Sequence, residues 1–180
     1  MDKELSSIHY DQYLQLQKIL DAQKLRSVEF NKPAHDEMLF IIVHQVYELW
    51  FKEILHDLAS VMELFSDGSV EESQIGIAIS RLDRVVKIQK ILVDQIDIIE
   101  TITPLDFLDF RNYLLPASGF QSFQFRQLEV ALGLKREKRI SYTQCSYSGV
   151  FSDQEQEILS KLEAGDSMFD LVEKWLERIP

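Results

Sequence analysis

Only Cys145 carries a thiol among the 180 residues. One cysteine excludes an internal disulfide and any cysteine-based zinc site, and it fits a reducing compartment. Basic residues are scarce too: 19 Lys and Arg against 30 Asp and Glu leave a net charge of −11. That is the wrong sign for a phosphate-backbone partner, so no nucleic-acid partner is expected. The one basic run, Lys135-Arg-Glu-Lys-Arg139, is short and interrupted by a Glu, and it reads as a solvated surface patch. No apolar run approaches membrane-spanning length, and the opening Met-Asp-Lys-Glu-Leu-Ser-Ser has no apolar core of a leader. These absences predict a soluble, cytoplasmic protein with no membrane partner. There is no Val/Ile/Thr alternation to mark a strand, no internal repeat and no low-complexity tract. What remains is 46% hydrophobic and 27% charged, an ordinary globular balance. The length suits one helical domain over residues 1–180, large enough to bury a core. The class is all-α, a bundle of long antiparallel helices.

The stretch from His35 to His56 has no Gly, no Pro and no turn cluster, and it is apolar on nearly every side. A helix hydrophobic all round belongs at the centre of a domain. At about 100° per residue Glu37, His44 and Glu48 share one narrow stripe, with Phe40 beside it. Ionisable groups in such a place are expected to be paired or used. The helix should run to about Phe65, where Ser66-Asp-Gly-Ser69 supplies turn chemistry. A second long helix is expected from about Val70 to Thr101, with a seam of Ile75, Ile79, Leu82, Val86 and Val85, Gln89, Leu92, Ile96, Ile99. Tyr10 to about Lys24 reads as a short helix, and Arg26 to Lys32 as a loop leading to Pro33. Thr103-Pro104 with Asp106 starts another helix. Leu115-Pro-Ala-Ser-Gly119 is a turn, and Phe120 to Leu132 resumes a helix that Gly133 ends. Residues 134 to about 151 look irregular. Ser152-Asp153 with Glu155 opens one more helix, which Gly165 stops. The last runs from Ser167 to Ile179 with a broad apolar face that needs a partner.

Four features carry chemistry. Glu53-Ile-Leu-His56 has the Glu-x-x-His spacing of di-iron bundles, but no second pair occurs and His56 reads as a surface or packing histidine. His44 is either a core histidine satisfied by a carbonyl or Glu48, or a group that holds a polar N–H in a pocket. Arg111, closing an aromatic helix face, is either a structural ion pair or a fork for a ligand carboxylate. Ser118-Gly119 is either an ordinary N-cap or an anion-facing turn. Together they point to a helical bundle with a pocket for a small aromatic acid, and no reaction follows from them alone.

Three stretches go further. His9-Tyr-Asp-Gln-Tyr-Leu-Gln-Leu16, the run from His35 to Lys52, and the run from Asp106 to Arg126 closely resemble the tryptophan 2,3-dioxygenase family, in order and correctly spaced. The likeness continues less sharply to Arg178, and it covers the N-terminal part of the family's usual length. The resemblance implies an all-helical, haem-dependent homotetramer that inserts dioxygen across the indole C2–C3 bond of L-tryptophan, giving N-formylkynurenine in tryptophan catabolism. By the same resemblance His44 is the distal histidine on the indole N–H, Arg111 clamps the substrate carboxylate, and Phe40 and Phe107 wall the indole ring. Ser118 would lie near haem and substrate, with Gly119 and Phe120 beside the haem. Tyr10, Tyr13 and Leu14 would be lent to a neighbouring subunit's pocket. The proximal haem histidine is expected from residues outside this chain, since His9, His35, His44 and His56 do not match its context and no metal ligand is assigned here. The chain is then a fragment, half of a split enzyme, or a short relative acting as a non-catalytic tryptophan- or indole-binding or assembly module. The apolar face of the last helix favours the first two.

Overall fold

The computed structural model describes residues 7–66, 70–135, 138–139 and 150–178, with Glu72 described by its backbone alone. The described residues form helices α1 (Tyr10–Leu14), α2 (Leu16–Leu20), α3 (Arg26–Glu29), α4 (Glu37–Ser66), α5 (Glu72–Asp94), α6 (Ile96–Ile99), α7 (Pro104–Leu114), α8 (Phe123–Ala131), α9 (Asp153–Ala164) and α10 (Met168–Leu176), with no strand among them. The all-α expectation holds. Cys145, the Asp67–Ser69 part of the first turn, Ile179 and most of the irregular stretch lie outside the described residues.

The apolar run of α4 makes it the axis. It packs against α5, α8 and α10, and its Ile54, Leu58 and Val61 are at most 1% exposed. Phe65, near the end of α4, meets Trp175 of α10 edge-on at 5.6 Å between ring centroids. The face of α10 is therefore met in part by the chain's own core: Met168 and Leu171 are buried, while Phe169 and Leu176 stay exposed. The expected α5 seam holds in part: its Val85 and Leu92 are buried and its Leu82 packs against the core. Ala78 and Ile88 are buried too, whereas Ile79 and Val86 face out. Small Ala78 lets α5 approach α4 closely. Across that interface Asp57, which is buried, accepts from Arg84 at 3.1 Å.

Three expected helices are broken. The first breaks at Gln15, whose φ of 53° is left-handed and whose side-chain amide bonds the Gln12 carbonyl at 2.5 Å. The second ends at Asp94. The Tyr47 hydroxyl donates to the Leu92 carbonyl, in the last turn of α5, at 2.5 Å. The third resumes late: Gly119–Gln121 is a 3-10 turn, and Ser122 caps α8 by accepting from the Phe125 amide at 3.2 Å. Gly133, at φ 89°, ends it. The segment expected as a loop contains α3. Thr103, Ser152 and Ser167 cap α7, α9 and α10 as their sequences predict. In the basic run Arg139 is not a solvated patch residue. Its Nε donates to the Leu134 carbonyl at 2.8 Å and its guanidinium pairs with Glu163.

Candidate functional site

Helix α4 presents Phe40 and His44 one turn apart, and α7 presents Phe107 and Phe110 to Phe40, with Arg111 beside Phe107. Phe110 is fully buried and fixes the group. It lies 5.5 Å from Phe40 and 5.3 Å from Phe107, both edge-on. Phe40 and Phe107 are 5.8 Å apart, and the His44 ring lies 4.2 Å from Phe40. The order on α7 follows from its capped start. With Thr103 as N-cap, Phe107 and Phe110 fall on one face, and Arg111 lies one turn beyond Phe107.

The polar groups are set by the same helices. His44 is exposed, and its Nδ1 lies 2.7 Å from the Phe40 carbonyl. A carbonyl only accepts, so Nδ1 carries the proton and Nε2 of the neutral ring is an acceptor. Arg111 is exposed, its guanidinium 6.0 Å from the Phe107 ring centroid. It makes no ion pair among the described residues, so the structural ion pair open to it in sequence is not formed there.

The stripe of ionisable groups divides three ways. Glu37 is fully buried and turned to α3, where it accepts from the Arg26 and Ser27 amides. Glu48 accepts from the Gln124 side chain of α8 at 2.7 Å. Neither hydrogen-bonds to His44, whose partners are the carbonyl and the ring of Phe40. The other candidates make no ring contact with that aromatic group. Ser118 caps the 3-10 turn, accepting from the Phe120 amide at 3.3 Å, while its own amide is held by Gln121. Gly119 and Phe120 sit on that exposed turn. Tyr10, Tyr13 and Leu14 are exposed on α1, with the two tyrosines 75% and 72% accessible. Glu53 lies 3.6 Å from Arg84, and His56 is exposed. Among the described residues no three His, Cys, Asp or Glu side chains group as a metal site. The residue that sequence reading passed over is Phe110; its i+3 spacing from Phe107 was the available signal.

Three residues beyond His44, Tyr47 opens an apolar cleft of about 900 Å³ between α4, α5 and α8. Phe51, Ile54, Leu92, Phe125 and Leu128 line it, and Lys135 and Lys138 add two cations. Burial raises the Tyr47 pKa above its usual value, so its hydroxyl stays a donor to Leu92.

The family model for tryptophan 2,3-dioxygenase matches residues 1–180. A tryptophan 2,3-dioxygenase of Alteromonas mediterranea is 51% identical over 180 residues, all of this chain and 50% of the relative. That of Aedes aegypti is 56% identical over 173 residues, 95% of this chain and 44% of the relative. The Dictyostelium discoideum protein of that name is 46% identical over 173 residues, 96% of this chain and 43% of the relative. The chain belongs to the tryptophan 2,3-dioxygenase family. It spans about half the length of the curated relatives it matches. Within this member of the tryptophan 2,3-dioxygenase family, no helix of the described residues is long and apolar enough to cross a membrane.

Proposed function

We propose that this chain supplies the distal substrate pocket of a tryptophan 2,3-dioxygenase, a cytoplasmic enzyme that inserts dioxygen into the indole ring of L-tryptophan to give N-formylkynurenine. Residues 1–180 act as one helical domain of it. The observation that carries the reading is Arg111. In a chain with an excess of carboxylates, its guanidinium stands at the end of an aromatic wall with no acidic partner among the described residues. An arginine so placed suits a carboxylate on a ligand whose other end is aromatic. Phe40 and Phe107 flank the indole, His44 Nε2 accepts the indole N–H, and Arg111 takes the carboxylate. Tyr10, Tyr13 and Leu14 close the pocket of a neighbouring subunit in a homotetramer.

Haem, which the family implies, supplies the dioxygen chemistry when bound. By the resemblance, Ser118, Gly119 and Phe120 would lie along that group's edge. The apolar cleft beside Tyr47 is lined by none of these three, nor by Phe40, His44, Phe107 or Arg111, and it carries Glu129 besides its two lysines, so it is not assigned to the haem. No histidine lines the cleft either, so nothing there fits the iron ligand. That ligand is assigned to residues outside this chain. The part played by these residues is to bind and orient the substrate, and to hold a proton acceptor at the indole nitrogen.

The test is Arg111→Leu. The loss of a charge-assisted pair is about 2 kcal/mol, on the order of thirtyfold in affinity for L-tryptophan, with indole affinity unchanged. Calorimetry with both ligands reads the difference. Equal losses for both would remove the carboxylate clamp.

A further inference from the structure

Glu37 is a fully buried carboxylate that the pocket does not use. Its Oε1 accepts from the Arg26 amide at 2.8 Å and its Oε2 from the Ser27 amide at 3.0 Å. Those amides open α3, a helix of four residues, too short to hold itself. Ser27 is fully buried as well, and its hydroxyl accepts from the Ala34 amide at 3.1 Å, tying α3 to the segment that leads into α4. At the other end of α3, Phe30 stacks on Tyr113 of α7 at 4.8 Å and 15°. The backbone of α7 packs closely on α3, and α7 reaches α4 through aromatic side chains. The short helix is therefore the mounting of α7.

We infer that Glu37 is a positioning residue. It locks α3 to the start of α4, and α3 through Phe30 and Tyr113 sets the place of α7, which carries Phe107 and Arg111. Its effect on ligand rests on the reading of Arg111 and Phe107 given above; its effect on α7 does not. A carboxylate suits the place because each of its two oxygens takes one N–H. An amide keeps one acceptor and turns its own NH2 toward the second N–H.

Hydrogen exchange on the full chain tests the coupling. Glu37→Gln should speed exchange of α3 and α7 amides about tenfold, the scale of one charge-assisted hydrogen bond, and leave α5 and α9 unchanged. Faster exchange in α3 alone would reduce Glu37 to a local cap and overturn the inference. Where Glu37→Gln does not fold, Phe30→Leu carries the same test from the other end, and unchanged α7 exchange there overturns it equally. The double variant should be no faster in α7 than the more affected single one, because both act on one path. Calorimetry then separates this inference from the proposed function. Glu37→Gln should weaken both L-tryptophan and indole, whereas Arg111→Leu weakens L-tryptophan alone. Where Arg111→Leu does weaken L-tryptophan, unchanged affinities in Glu37→Gln overturn the positioning role. If Arg111→Leu moves neither ligand, the clamp falls while exchange still decides Glu37.

Discussion

At the scale of single residues, His44 gains its chemistry from its own helix. The Phe40 carbonyl one turn back holds the Nδ1 proton, so the neutral ring offers Nε2 as an acceptor without help from a carboxylate. His44→Ala should therefore weaken L-tryptophan by about 1 kcal/mol, roughly fivefold, and barely affect an analogue methylated at the indole nitrogen. Calorimetry on the two ligands measures the contrast, and equal losses would remove the N–H contact. The pairing of Phe40 with His44 was legible because one turn of helix fixes it. The place of Phe107 and Arg111 was legible as a pattern on α7, but not its distance from α4. Glu37 shows where the pattern stops. A helical wheel gives the direction of a side chain and not the element it meets, and α3 was read as loop.

At the scale of elements, the starts of α7, α9 and α10 were readable because a Ser or Thr with an acid three residues on satisfies the helix locally. The break at Gln95 was not. It coincides with a bond from Tyr47, 45 residues away from Leu92 in sequence, whose hydroxyl donates to the Leu92 carbonyl in the last turn of α5. The cap of α10 also makes a pH prediction. Hydrogen bonds from the Ser167 hydroxyl and amide hold the Asp170 carboxyl below its ordinary pKa. A folded-state value that is lowered means stability fully present above the unfolded value of about 3.9 and lost as pH falls through the folded one. Asp170→Asn should thus be less stable than the parent at neutral pH and converge on it at the acid end. Urea denaturation across that range is the measurement, and a constant difference at every pH would separate the cap from the carboxylate charge.

At the scale of the whole molecule, α1 is the segment whose chemistry the chain's own fold leaves unexplained. Its Tyr10 and Tyr13 are largely exposed and make no ring contact with Phe40, His44 or Phe107, and two exposed tyrosines on one short helix suit an interface that is apolar and wet at once. The proposal that they complete a neighbour's pocket makes oligomerisation part of the binding site, and it can be read by mixing. A Tyr10→Ala/Tyr13→Ala chain keeps an intact His44 and lacks the tyrosines; a His44→Ala chain has the reverse defect. Each homo-oligomer should bind L-tryptophan weakly. Refolded together, they should form hybrids in which a sound core on one chain meets sound tyrosines from the other, so that high-affinity sites reappear at a stoichiometry set by the mixing ratio. Titration calorimetry with light scattering on the same samples gives site number and assembly at once. Hybrids that form without regaining any high-affinity site would place the tyrosines outside the pocket. Recovery would make this half-length chain's binding site the joint property of two copies, with the aromatic wall, His44 and Arg111 contributed by one and α1 by the other.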